Sequence, residues 1–310
     1  MLRVFERHSE LTNKKLKEAK SLVKLIALDY DGTIYDGGEY KQPEVFALVE
    51  KILDKNKSVV FITARAATAL KTLAPPLQEL LIQKDINFPN FTAGANGTTL
   101  YEVKKDGLVG IYNHGLELTQ ILVAVDAGRK IYEKLKIGNA DLAEKGLETF
   151  RRFLQENWDG YVPSEILDVC RPYNGEIFIE QAKVTFVLPK DKSLHQKIAV
   201  ELNQELGKDF SAALGDDTYV HITKKLEEDS KVVAIKTILK ILGLEQNQVA
   251  TFGDMPTGND AGLLSFPYSF TNSEEFINIK ENLDQPPYIL MEPNLTPVAR
   301  VYKAIDYLIS

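Results

Sequence analysis

At 310 residues, 44% hydrophobic and 26% charged, the chain has globular composition and length for about two domains. A formal charge of −7 with no basic block argues against a nucleic-acid partner, and no apolar run approaches the ~20 residues that cross a bilayer. A single cysteine, Cys170, excludes an intrachain disulfide and fits a reducing, cytoplasmic compartment.

The first residues carry scattered charges and no apolar stretch of signal-peptide length. Residues 11–23 interleave Lys with Leu and Ala and read as an exposed helix, part of an N-terminal extension over residues 1–23. Leu25 to Leu28 is an uninterrupted apolar run that stops on D-Y-D-G-T, Asp29 to Thr33. Such a run suits a strand buried on both faces, and ligands of open α/β sheets bind beyond the carboxyl ends of such strands. Asp29 and Asp31, two apart, can face one ligand. Taken alone, an Asp-Gly pair is equally a turn.

Apolar positions at Val45, Leu48, Val49, Ile52 and Leu53 predict a helix over 43–55, and Ser58 to Thr63 a second buried strand ending on Thr63-Ala64-Arg65. A helix is expected through Leu70 to Leu81. Phe91 to Tyr101 holds an Asn96-Gly97 turn signal. From Gly107 to Thr223 the pattern changes. Helices are expected over 116–135, 141–157 and 193–206, and strands over 176–180, 184–188, 210–214 and 218–223. A helix over 231–242 and a strand over 248–252 follow, the strand ending on G-D-M-P-T-G-N-D, Gly253 to Asp260. Short strands at 267–271 and 288–291 and a helix striped by Val298, Val301, Ile305 and Leu308 close the chain. The fold class predicted is α/β: a Rossmann-like parallel-sheet core over 24–106 and 224–310, with an inserted α+β module over 107–223.

Two strand ends bearing carboxylates, Asp29/Asp31 and Asp254/Asn259/Asp260, suit a hard cation such as Mg²⁺, which takes carboxylates, waters and phosphate oxygens. Thr63 could bind a phosphoryl oxygen through its hydroxyl and N–H, or be a helix cap. Lys231 could offset charge there, or be an ordinary surface lysine.

In this order the segments resemble the four motifs of the haloacid dehalogenase superfamily. Asp29 to Thr33 resembles the nucleophile motif, Thr63-Ala64-Arg65 the second, and Ser230-Lys231 with its following helix the third. Gly253-Asp254 with Asn259-Asp260 resembles the fourth. Ala95-Asn96-Gly97 is similar to the Asn-Gly turn of the Cof-like, type IIB sugar-phosphatase subgroup. Val232 stands where that subgroup usually has Gly. The fourth motif carries two extra residues, which leans toward phosphomannomutases and leaves open whether Asn259 or Asp260 takes the usual role.

The resemblance implies a Mg²⁺-dependent phosphatase of a small phosphate ester, a sugar phosphate in that subgroup, with Asp29 as nucleophile and Asp31 as general acid/base. It implies metal binding by Asp29, Asp254 and the backbone carbonyl of Asp31, supported by Asn259 and Asp260. Phosphate binding would fall to Thr63, Lys231, Arg65 and Asn272. The inserted module would be a specificity cap. A monomer or homodimer without nucleic-acid or membrane partners is expected. The alternatives are a phosphosugar mutase or phosphotransferase on the same fold, or a non-catalytic binding protein. His114, His195 and His221 stand in no metal-ligand spacing, and Trp158 reads as packing.

Overall fold

The computed structural model describes residues 2–64, 67–135, 177–179, 183–187, 192–214, 219–278, 280 and 282–310. The elements in chain order are α1 (Leu2–Leu22), β1 (Leu25–Leu28), α2 (Gln42–Leu53), β2 (Ser58–Ile62), α3 (Ala67–Gln83), β3 (Asn90–Gly94), β4 (Thr99–Lys104), β5 (Gly107–Asn113) and α4 (Leu118–Leu135). There follow β6 (Ile177–Ile179), β7 (Lys183–Val187), α5 (Lys192–Leu206), β8 (Phe210–Leu214), β9 (Tyr219–Lys224), α6 (Ser230–Leu242), β10 (Val249–Gly253), β11 (Tyr268–Thr271), β12 (Tyr288–Ile289) and α7 (Pro297–Ile309). The helix expected over 141–157, Trp158, Cys170 and Arg65 lie outside the described residues.

The chain divides into two compact units, Met1–Thr63 with Leu70–Ile111 and Glu228–Ser310, and Ala64–Ala69 with Tyr112–Glu227. In the first, eight strands run in the order β12-β11-β10-β1-β2-β3-β4-β5. From β12 through β3 every neighbouring pair is parallel, and β4 turns back antiparallel on β3. Parallel strands flanked by helices lose both faces to the core, and Leu25, Ile26, Ala27 and Leu28 of central β1 are all fully buried. The predicted stripe of α7 is buried as well, and the Thr296 hydroxyl caps that helix by accepting the N–H of Ala299 at 3.3 Å.

Two elements differ from expectation. Helix α1 is not simply solvated, because Leu16, Ala19 and Val23 form a narrow buried stripe at helical spacing. The helix packs on α7 and β12, and the Thr12 hydroxyl donates to the Ile289 carbonyl at 2.9 Å. A two-residue edge strand is thereby covered. Residues 107–113, placed by sequence at the start of the inserted module with no strand assigned, form β5, which extends the large sheet.

The second unit holds an antiparallel sheet in the order β6-β7-β9-β8. Strand alternation turns Val184, Phe186, Val220 and Ile222 toward Ile121, Val125, Ile198 and Leu202 of α4 and α5, forming a core of its own. The alternate positions Lys183, Thr185 and His221 share the opposite face.

Candidate active site

Strand register builds the site. Leu28 of β1 lies level with Phe252 of β10 and Phe61 of β2, and Gly253 of β10 lies level with Thr271 of β11. Within two residues of these levels, Asp29, Thr63, Asp254 and Asn272 therefore collect at the carboxyl ends of four adjacent parallel strands. This is the edge at which such sheets bind ligands. The Asp29 N–H donates to the Phe252 carbonyl at 3.0 Å, so the first acid is still fastened to the sheet.

Between the two acids, Tyr30 turns into the core, stacked on Tyr35 at 4.9 Å and edge-on to Phe61. Asp29 is buried and Asp31 exposed, so the pair is unequal. The Asp29 carboxylate accepts from the Thr33 hydroxyl at 3.2 Å and from the Lys231 ammonium at 3.0 Å. Lys231 is 1% exposed and also donates to Asp260 at 2.5 Å, which is 0% exposed. The other oxygen of Asp260 accepts the backbone N–H groups of Asp254 and Met255 at 3.0 and 3.1 Å. Lys231 reaches this place because Asp229 caps α6, its carboxylate accepting the N–H of Lys231 at 2.9 Å and of Val232 at 3.3 Å. Val232, the departure from the subgroup's Gly, is simply buried.

Three carboxylates face one ammonium here. Ligand oxygens of Asp29, Asp254 and Asp260 lie within 4.8 Å of one another. Burial and the neighbouring charge of Asp260 push Asp29 up to about 7, against the pull of Lys231. Burial and the charges of Asp29 and Asp260 push Asp254 up to about 9. Burial by itself would lower Lys231, but Asp260 and Asp29 outweigh it and hold the ammonium above the ordinary lysine value. An all-oxygen donor set with surplus negative charge fits a hard divalent cation. Asp260 is already engaged by Lys231 and two N–H groups, which leaves Asp29 and Asp254 as the side chains suited to hold one. Gly32, at φ +77°, admits Asp254: a Cβ there would lie 2.2 Å from the Asp254 carboxylate oxygen.

The remaining predicted residues fall as follows. Thr63 is buried and its N–H donates to the Ala93 carbonyl at 3.0 Å, so any contact with a ligand falls to its hydroxyl and not, as the sequence suggested, to both groups. The Asn272 amide donates to the Gly32 carbonyl at 2.9 Å, clamping the loop that carries both acids. Asn259 lies beside Asp260, its side-chain oxygen buried without a hydrogen-bond partner among the described residues. In the second unit, His221 Nδ1 lies 2.9 Å from the Thr185 hydroxyl, and His114 stacks on Tyr112. Ser230 entered the sequence reading only as part of the third motif, with no role of its own. Its hydroxyl donates to the Asn96 carbonyl at 2.6 Å, and only its place beside Lys231 hinted at a role.

Residues 26–269 match the family model of the haloacid dehalogenase-like hydrolases. A haloacid dehalogenase-like hydrolase from Bacteroides thetaiotaomicron is 17% identical over 92% of this chain and 98% of its own, with a TM-score of 0.55. A structure from a phosphoryl-transfer superfamily with a conserved trigonal-bipyramidal intermediate aligns at 15% identity, over 92% and 98% of the two chains, with a TM-score of 0.57. The IMP-bound, N-terminally truncated IMP-nucleotidase of Plasmodium falciparum aligns at 12% identity, over 95% and 71%, with a TM-score of 0.54. At these identities the likeness is one of fold. No curated protein matches the chain at a significant level.

Proposed function

The chain belongs to the haloacid dehalogenase-like hydrolases, and we propose that it is a Mg²⁺-dependent phosphatase of a small phosphorylated metabolite, a sugar phosphate by the subgroup it resembles. The observation that carries this reading is the buried Lys231 joining Asp29 to Asp260 at the level where the parallel strands end.

Asp29 attacks the phosphorus. Its oxygen forms a bond to phosphorus as the ester P–O bond breaks, dividing one hard displacement into two easier ones through an aspartyl-phosphate. Asp31, exposed and on the same loop, gives a proton to the departing oxygen, then takes one from the water that hydrolyses the intermediate. Lys231 and the Thr63 hydroxyl hold the phosphoryl oxygens, on which charge develops. Arg65 joins them in the reading by resemblance, while Asn272 acts one step removed, through Gly32. Asp29, Asp254 and the Asp31 carbonyl would hold Mg²⁺, which when bound supplies Lewis-acid neutralisation of the phosphoryl charge. Asp260 and Asn259 support that arrangement from behind. The second unit serves as the cap that reads the leaving group.

Phosphate release from a panel of hexose phosphates, nucleoside monophosphates and p-nitrophenyl phosphate, with Mg²⁺ and with chelator, tests the proposal. IMP belongs in the panel because one structure of similar fold is named an IMP-nucleotidase. Release by the native chain should require the cation. Asp31→Asn should lose about 10²–10⁴-fold, and Asp29→Asn should be nearly inactive. Ordinary turnover by Asp29→Asn would sink the mechanism. Isomerised hexose phosphate in place of free phosphate would reassign the chain to the mutases.

A further inference from the structure

Between β3 and β4, three consecutive residues have left-handed backbone: Ala95 at φ +48°, Asn96 at +60° and Gly97 at +88°. Only the last is a glycine. Left-handed residues with side chains cost energy and persist where the surroundings over-determine them. The surroundings here are the main chain at Thr63 and the first turn of α6, which carry the phosphate-binding side chains of the proposed site. The Asn96 N–H donates to the Thr63 carbonyl at 2.9 Å, and the Asn96 carbonyl accepts the Ser230 hydroxyl at 2.6 Å. Thr98 closes the turn by donating its N–H and hydroxyl to the Ala95 carbonyl at 3.3 and 2.9 Å. Gly97 lies so near α6 that a Cβ would come 2.7 Å from the Ser230 carbonyl oxygen and 3.1 Å from the Lys231 Cα. The Asn96 side-chain oxygen is buried without a hydrogen-bond partner among the described residues, so the link runs through its main chain.

Thr63 and Lys231 stand on different elements, the end of β2 and the first turn of α6, yet one left-handed residue touches both neighbourhoods. We infer that the Ala95–Gly97 turn is a spacer that sets the separation of Thr63 from Lys231, with Asn96 and Ser230 as positioning residues for phosphoryl transfer. This rests on the phosphatase reading above. Both groups address oxygens of the same transferring phosphoryl, and a displacement near 1 Å can cost about 10²-fold in such geometry. The turn is legible in sequence as a hairpin signal and by its resemblance to the Cof-like Asn-Gly turn. What it abuts is a tertiary fact.

The test compares the native chain with Ser230→Ala, Ser230→Thr and Asn96→Val under saturating Mg²⁺. The readouts are kcat and KM for the best ester, orthovanadate affinity by calorimetry, and thermal unfolding. Ser230→Ala should lower kcat about 10–100-fold with KM within about twofold, and weaken orthovanadate, a trigonal-bipyramidal mimic, by a similar factor. Ser230→Thr keeps the hydroxyl and should restore both. Asn96→Val, β-branched and poorly suited to positive φ, should fall at least as far as Ser230→Ala. Native kcat and vanadate affinity in Ser230→Ala, or losses confined to thermal stability, overturn the inference while leaving the phosphatase reading intact. A native chain that neither releases phosphate nor binds orthovanadate overturns both.

Discussion

Replacing Asp260 by Asn probes the centre of the site at nearly constant volume. Asp260 is 0% exposed; one oxygen accepts Lys231 at 2.5 Å, the other two backbone N–H groups. An amide can serve only one of these sides, because its NH₂ sets a donor against donors on the other. Breaking a buried ion pair by removing one partner costs about 3–5 kcal/mol. Lys231 keeps Asp29 at 3.0 Å, and losing the Asp260 charge relieves the repulsion on Asp29 and Asp254, so the lower end applies. At about 2–4 °C per kcal/mol for chains near this size, ~3 kcal/mol lowers the melting temperature by about 6–12 °C. Asn259→Ala removes a side-chain oxygen that has no partner among the described residues and should cost less than about 1 kcal/mol. Scanning calorimetry of the two variants without divalent cation decides. Were Asn259→Ala the one to lose stability while Asp260→Asn melted with the native chain, the assignment of Asp260 as the partner of Lys231 would be wrong.

Gly32→Ala should abolish Mg²⁺-dependent turnover and weaken Mg²⁺ binding in titration calorimetry, since its Cβ collides with the Asp254 carboxylate at positive φ; native affinity would refute the close approach. Without cation, Asp29 at about 7 and Asp254 at about 9 lie above their ordinary carboxylate value. Their contribution to stability is therefore complete below about pH 4 and lost as pH rises through 7 to 9. Added Mg²⁺ should raise the melting temperature more at pH 8 than at pH 5, and an equal rise at both would contradict the shifts. Thr12→Val leaves the buried Ile289 carbonyl unpaired and should cost about 1–3 kcal/mol with kcat unchanged, as denaturant unfolding beside a turnover assay would show.

The parallel sheet was legible because its strands are short all-apolar runs between turn residues, a pattern that needs no knowledge of neighbours. Leu25–Leu28, Ser58–Ile62 and Val249–Gly253 are all observed as strands. The family was legible for a related reason: Asp29, Thr63, Lys231 and Asp254 stand in spaced motifs, and residues 26–269 match the family model. Helix α1 was less so, because its buried stripe, His8, Thr12, Leu16 and Ala19 with Val23 just past its end, holds few apolar residues among lysines and leaves little hydrophobic periodicity.

By itself the sequence determined which residues are able to do chemistry and the order in which they occur along the chain. Tertiary structure decided how they are shared out. It left Asp29 buried and Asp31 exposed, gave Lys231 to Asp29 and Asp260, spent the N–H of Thr63 on Ala93, and set Asn272 on Gly32. Each of these is a contact between elements far apart in the chain. Strand register and the groups that the Asn96 turn and Gly32 abut set its distance; the Asn-Gly turn and the glycine are written in the local residue pattern, but what they touch is not.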